Sequence, residues 1–322
     1  MPEISVIIPV KNGATSLVSC LQSICNQSIA DQLEIIILDS MSTDNSREIA
    51  EKFGAKIINI PNGTFNHGLT RNIGVENALS NLLYFTVQDA SIADECMLEN
   101  MLEHFEDSSV MAVVGHQAVP HEKDKDPFLW YSPYDKPEVT IRKVLDVAFF
   151  LNLSINEKKS LIAWDNVVSM YRKRVLIEQP FVKTGFAEDW VWSYQALLKG
   201  WKLLRDSSFV VYHYHHQSFK YNFNVAFTTN YHFYIFFKFK PHVPALVFPV
   251  IRVTYHLLKN KSLSFGQKIY WIINNYAGRL GTWGSVINFI VRLKLGGEKS
   301  IDEGFLKYCK EIPQGKQKEP VL

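Results

Sequence analysis

The sequence predicts an α/β fold, an open doubly wound sheet followed by a helical extension. Over roughly the first 115 residues, short apolar β-branched runs alternate with helix-period segments, as in strands covered on both faces. The charge changes sign along the chain. Residues 1–215 carry 19 Lys/Arg against 27 Asp/Glu, and residues 216–322 carry 15 against 5. An acidic front and a basic back imply two tasks, and the back seeks a negative partner.

Taken in order, "ISVIIPV" (4–10), "LEIIILDS" (33–40), "AKIINI" (55–60), "NLLYFTV" (81–87) and "VMAVVGH" (110–116) read as buried strands of a parallel sheet. Helices are expected over about 15–27, 44–53, 68–79 and 94–106. Asp44 is the N-cap expected for the second, with Arg47, Glu48 and Lys52 on its wet side. A ligand site on such a sheet lies at the carboxyl ends of its strands. Residues 117–160 lose the regularity, and "HEKDKDP" (121–127) reads as a charged loop. It returns with "LIAWDNVVSMYRKRVL" (161–176), a helix over 187–201 and a strand over 207–215. From residue 219 aromatics and Lys dominate, with a helical stretch over about 266–293, and the terminal "EIPQGKQKEPVL" reads as disordered. The composition divides the chain at residue 216.

The four cysteines, Cys20, Cys25, Cys96 and Cys309, make no CxxC pair, which argues against zinc and redox motifs and for reduced, cytosolic thiols. "MPEISVIIPV" has an acid where a signal peptide carries basic residues. No apolar run reaches the ~18–20 residues a membrane span needs. The nearest, "HVPALVFPVIRVTYHLL", is broken by Pro244, Pro249 and Arg252.

Three strand-end features point to chemistry. Asp39, closing the second strand, can accept hydrogen bonds from a base N–H, or it is part of an ordinary strand-to-helix turn. Arg71 in "NHGLTRNIGVENA" (66–78) offers a fork for a base carbonyl or phosphate, or lies on the wet face of an amphipathic helix. Gly68 and Gly74 permit close backbone approach there. Asp89, after the fourth strand, suits a hard cation such as Mg²⁺ or Mn²⁺ bridging a diphosphate, or is a solvated turn residue.

Together "VIIPVKNG", "DSMSTD", "GLTRNIGVENA", "QDA" and "GFAEDW" resemble, in order and spacing, the family 2 inverting glycosyltransferases over about residues 3–216. The "FNHG-TRN" and "TVQDA" forms look most like the bacterial rhamnosyltransferases of that family. The resemblance implies a GT-A fold, with a nucleotide-binding half over about 1–116 and an acceptor half over about 117–216. The 217–322 extension is then basic, aromatic and mostly helical. Carried over by position, Pro9, Val10, Asn12, Asp39, Arg71 and Gln88 would bind the nucleotide. Asp89 matches the second acid of the family's Asp-x-Asp element, whose first acid is here Val87, and His213 would join it on a divalent cation. Asp189 would be the general base and Glu188 its supporting neighbour. Trp164, Trp190 and Trp192 could form a sugar platform, with core packing the safer reading for at least two.

The implied donor is dTDP-L-rhamnose, with a UDP-hexose as alternative. The implied acceptor is a lipid-linked saccharide of a surface polysaccharide at the inner face of the cell membrane. The basic aromatic extension fits an anionic membrane surface, a dimer interface or a core-forming extension, and nucleic acid is not expected. A nucleotidyltransferase and a non-catalytic membrane scaffold are the rivals.

Overall fold

The computed structural model describes residues 2–133 and 136–309. They form two compact units: the chain up to Ala118 with Ser132–Tyr214, and Val119–Tyr131 with the chain from His215 onward. The terminal stretch expected to be disordered lies outside the described residues.

The first unit runs β1 (Ile4–Val10), α1 (Leu17–Cys25), β2 (Leu33–Asp39), α2 (Ser46–Lys52), β3 (Lys56–Asn59), α3 (His67–Asn77), β4 (Leu82–Phe85), β5 (Ser91–Ile92), α4 (Met97–Glu103) and β6 (Val110–Ala118). After the excursion into the second unit come β7 (Val139–Arg142), α5 (Val147–Asn152), α6 (Ile155–Ile162), β8 (Ser169–Arg172), α7 (Lys173–Glu178), α8 (Glu188–Leu198) and β9 (Lys202–Tyr212). The strand order is β3-β2-β1-β4-β8-β6-β9-β5, with β7 also on β9.

β1 is apolar throughout because both of its faces are covered. Val6, Ile8 and Val10 pack in one core cluster with Leu17, Leu21 and Ile24 of α1. Ile7 faces the other way, toward Gly74 of α3, where an added Cβ would lie 2.6 Å from Ile7 Cγ2. The parallel register pairs Val10 with Asp39 and Asp39 with Asn59, so the carboxyl ends of β1, β2 and β3 align.

The parallel order expected for the strands of the first 115 residues holds through β3-β2-β1-β4, and β6 pairs in parallel with β9 rather than with these strands. β8 runs antiparallel to both β4 and β6, because the chain re-enters the sheet from the opposite end after the long excursion that follows β6. β9 starts five residues before the expected strand and ends three before it. Its first half carries Lys202, Arg205 and Asp206, which hide the strand pattern, and its pairing with β6 shifts register between Val114 and His116.

The second unit holds α9 (Phe219–Phe237), α10 (Val247–Lys259) and α11 (Phe265–Cys309), the last broken at Gly297. Ser218 caps α9 by accepting from the Tyr221 N–H. Its cores are Phe227, Phe289, Ile301 and Phe305, and separately Val253, Leu257, Leu263 and Trp271. Phe128 and Trp130 pack on the second of these cores. That packing assigns Val119–Tyr131 to the helical unit rather than to the 1–216 segment that composition had suggested. No helix among the described residues is long and apolar enough to cross a membrane.

Gly68 opens α3 directly beneath the backbone of Val182, where an added Cβ would sit 1.9 Å from the carbonyl oxygen. Gly68→Ala therefore forces α3 away and should cost about 1–3 kcal/mol in denaturant unfolding. Gly266→Ala, where an added Cβ meets nothing, should be neutral or stabilising by up to about 1 kcal/mol. Equal stability of the two variants would contradict the close approach.

Candidate active site

Two groups of polar side chains gather beyond the strand ends. The first surrounds the ends of β1 and β2. Asp39 is buried, and its two oxygens are engaged: Oδ1 accepts from Ser42 N (3.1 Å) and Oδ2 from Arg47 Nη1 (2.9 Å). Asn12 Oδ1 accepts from Thr43 N at 2.8 Å, and the Asn12 N–H donates to Ser42 Oγ at 2.9 Å, so the loops after β1 and β2 are latched together. Asn12 (φ 49°) and Met41 (φ 59°) are both left-handed, a strain that concentrates at functional loops. Gln88 pairs with the backbone of Lys11, accepting from its N–H (2.8 Å) and donating to its carbonyl (3.3 Å). Pro9 is half-buried at the strand end. The Val10 side chain lies in the core, so only its backbone could face a ligand there.

The second group centres on the first turn of α8. Ala187 precedes it at φ 64°, turning the chain so that Glu188 and Asp189 start the helix. Glu188 is buried and accepts from Arg71 Nη1 at 2.8 Å and from Asn166 Nδ2 at 3.0 Å. Arg71 thus does not lie on the wet face of its helix. Its guanidinium is buried, also donates to the His67 carbonyl (3.2 Å) and ties α3 to α8. Asp189 accepts from the N–H groups of Asn166 (3.2 Å) and Trp190 (2.8 Å). Asn166 is in turn fixed by Tyr171, whose hydroxyl donates to its Oδ1 (2.5 Å) and accepts from Trp164 Nε1 (2.6 Å). Trp164 and Trp192 are core residues, and Trp190 is half-buried.

The two adjacent acids have opposite proton affinities. Burial opposes ionisation of Glu188, but Arg71, His67 and the Asn166 hydrogen bond outweigh it and hold its pKa below the usual value. Burial pushes the Asp189 carboxyl well above the usual range, and the negative charges of Glu188 and Asp165 push it further.

Beside them a polar chain runs from Asp165 to Asp89, after β4. Asp165 also has a pKa raised by burial. It accepts from Gln117 Nε2, and Gln117 Oε1 pairs with His213 Nδ1 at 2.7 Å. His213 Nε2 lies 3.4 Å from Asp89 Oδ1. The Asp89 side chain is 30% exposed and that of His213 12%. A carboxylate oxygen beside an imidazole nitrogen, partly open to solvent, is a donor set that fits Mg²⁺ or Mn²⁺. Val87 packs against the core of the first unit. Its carbonyl accepts from Cys20, whose thiol is pushed up to about 12 by burial and by the charge of Asp89.

Asp89, His213, Gln117 and Asp165 thus form one chain, Asp189, Glu188, Arg71 and Asn166 another that meets it at the adjacent residues Asp165 and Asn166, while Asp39, Asn12 and Gln88 belong to the latched strand-end loops. Sequence reasoning missed Gln117, Asp165 and Asn166. The signal for two of them was the polar pair in "AWDNVV", set in an otherwise apolar run leading into β8. Removing one partner of a buried ion pair leaves the other charge uncompensated. Arg71→Leu should destabilise the fold by about 3–5 kcal/mol in chemical denaturation at neutral pH. Arg71→Leu combined with Glu188→Gln should recover part of that loss, and no recovery would dissociate the pair from stability.

Residues 5–155 match the family model described as glycosyl transferase family 2. The chain is 35% identical over 123 residues to the O-antigen chain rhamnosyltransferase WbaN of Salmonella anatum, covering 38% of this chain and 39% of that protein. It is 35% identical over 127 residues to the O-antigen chain rhamnosyltransferase RfbN of Salmonella typhimurium, covering 39% and 40%. The match thus spans about two fifths of the length of these relatives. Among solved structures, TarS 1–349 of S. aureus aligns with a TM-score of 0.53 at 16% identity, over 92% of this chain and 77% of that one. The mannosyltransferase PcManGT of Pyrobaculum calidifontis, in complex with GDP-Man and Mn²⁺, aligns with a TM-score of 0.52 at 13% identity, over 97% and 82%. At such identities the structural likeness speaks to the fold. Residues 5–155 thus carry a glycosyl transferase family 2 domain, and the chain has the GT-A fold.

Proposed function

We propose that the protein transfers a sugar from a nucleoside-diphosphate donor to an acceptor hydroxyl with inversion, and that the sugar is L-rhamnose carried on dTDP. The observation that carries this reading is the continuous polar chain from Asp89 through His213, Gln117 and Asp165 to the neighbourhood of Asp189. It joins a cation-suited end to a carboxylate with raised proton affinity. Asp189 takes the proton of the acceptor hydroxyl. The freed oxygen pair forms the new bond to the anomeric carbon, and the bond from that carbon to the diphosphate oxygen breaks. Glu188, kept ionised by Arg71, stays out of the proton transfer and raises the affinity of its neighbour. Asp89 and His213 would hold a divalent cation, which when bound supplies positive charge against the departing diphosphate. Asp39, Asn12, Pro9 and Gln88 form the strand-end floor against which the nucleotide would lie. The names of the Salmonella relatives support rhamnose and surface-polysaccharide assembly; a UDP-hexose is the alternative donor.

Purified protein supplied with dTDP-L-rhamnose and bacterial lipid extract should release dTDP, and release from UDP-hexoses alone would reassign the donor. Asp189→Asn should lower turnover by about 10²–10⁴-fold. Asp189 must be ionised to act, so the rate should fall as pH drops through its raised pKa, above the ordinary carboxylate value near ~4. Asp165→Asn removes a like charge and should move that acidic limb down by on the order of one pH unit. An unchanged limb would remove Asp165 from the electrostatics of the base.

The helical unit supports a peripheral site on an anionic membrane at the cytoplasmic face, where a lipid-linked saccharide acceptor would lie. Phe248, 74% exposed, starts an apolar stripe that continues through Ile251, Tyr255 and Leu258 on one face of α10. No acidic residue stands between Asp206 and Glu298, while Arg252, Lys259, Lys261 and Lys268 surround the stripe in sequence. Each basic residue near an anionic leaflet is worth about 1 kcal/mol. The protein should sediment with phosphatidylglycerol-containing vesicles and not with phosphatidylcholine alone, less so at high salt. Phe248→Ser with Ile251→Ser should cut partitioning about tenfold or more. No vesicle binding, with a concentration-dependent dimer in light scattering, would transfer this face to self-association.

A further inference from the structure

The helical unit contains a cavity of about 160 Å³, lined entirely by its own residues from the Val119–Tyr131 segment, the start of α9 and the first half of α11. Its wall is mostly polar. Asp126 is 2% exposed; its Oδ1 accepts from Phe128 N (3.0 Å) and its Oδ2 from Asn275 Nδ2 (2.8 Å). The side-chain nitrogens of Asn222 and Asn274 are also committed, to the carbonyls of Ser218 (3.1 Å) and Gln217 (3.3 Å). Each amide therefore still offers an acceptor oxygen and a second N–H to a hydroxyl. Arg279 supplies the opposite function. Its Nε is buried and has no hydrogen-bond partner among the described residues, and its guanidinium lies 5.9 Å from the Phe128 ring. A buried donor left unpaired is costly.

This wall selects by charge. Asp126 disfavours an anion and Arg279 disfavours a cation. An apolar ligand would leave the Arg279 Nε and the amide oxygens without a partner. A ligand that both donates and accepts at closely spaced points, and that has an apolar face for Phe128, satisfies all of them. The volume corresponds to the liquid share of about five waters, the order of one sugar ring with its hydroxyls.

We propose that this cavity is a saccharide site that takes one uncharged sugar residue. The sugar's hydroxyls donate to Asp126, Asn222 and Asn274, and its oxygens accept from Arg279. The site stands on the geometry of the helical unit and does not depend on the transfer reading above.

Saturation-transfer NMR and calorimetry on the full chain, with L-rhamnose, D-glucose and N-acetyl-D-glucosamine as probes, test it. At least one of these sugars should bind saturably in the millimolar range or tighter, and inorganic phosphate should not compete. Binding should persist in Asp89→Ala and weaken at least tenfold in Arg279→Met and in Asn274→Leu. The milder Asn274→Leu keeps the test decisive if Arg279→Met fails to fold, with circular dichroism reporting the fold of each. Stronger binding of a disaccharide than of its component sugar would assign the site to a glycan chain, and equal binding to a free sugar. No saturable binding, affinity unchanged in a folded Asn274→Leu protein, or loss of binding in Asp89→Ala alone would each overturn the proposal.

Discussion

The buried ion pair between Arg71 and Glu188 is the interaction on which the site depends. It joins residues 117 apart in sequence, on α3 and α8, at 2.8 Å and with both side chains almost wholly buried. Two ions removed from water are tolerated only when their remaining hydrogen-bonding capacity is met. The His67 carbonyl does this for Arg71, and Asn166 does it for Glu188. The fixed charge on Glu188 has a second effect one residue along, because it raises the proton affinity of Asp189. A single buried arginine thus divides two neighbouring carboxylates into an ionised partner and a proton acceptor.

That division pulls stability in opposite directions with pH. Glu188 has a lowered pKa, so its contribution is present above the unfolded value near ~4.3 and is lost as pH falls through the folded one. Asp189 has a raised pKa, so its contribution is complete below the unfolded value near ~3.9 and is lost as pH rises through the folded one. Above its folded pKa the protein therefore carries an ionised Asp189 at a cost. This is the usual relation between a poised group and the structure that holds it.

Much of the sheet was legible because its central strands are apolar on both faces. "ISVIIPV" and "LEIIILDS" admit little else, and the position of Asp39 at a strand end follows from the second. The 117–160 stretch was less legible for particular reasons. β7 exposes three of its four residues, so it has no apolar signature. α5 and α6 are short and depend on local caps: Asp146 accepts from Phe149 N, and Ser154 with Glu157 forms a capping box. The "SINE" box stood in the sequence and was the available signal. The inward course of Arg71 was not legible, because an arginine on an amphipathic helix ordinarily seeks water and only the tertiary partner reverses that. Asp165 and Gln117 likewise acquire meaning only when β6, β8 and β9 bring their side chains together.

The missing acid at Val87 can be argued from packing. Alternation along a strand sends Val87 and Asp89 to the same side only if the strand continues, but β4 ends at Phe85 and the chain turns, with Ala90 N bonding back to the Val87 carbonyl at 3.1 Å. Val87 is thereby free to pack against the core, while Asp89 faces His213. An acid at position 87 would have to leave that packing or be desolvated beside Asp89, and two like charges so placed raise each other's pKa. An imidazole provides a second donor atom without a second negative charge beside Asp89. Its other nitrogen is paired with Gln117, which fixes the ring as second-sphere partners fix metal-binding histidines. The proposed cation end thus depends on Gln117 as much as on the acid, and Gln117 also touches Asp165, beside the proposed base. One side chain thus touches both His213 at the proposed cation end and Asp165 beside the proposed base.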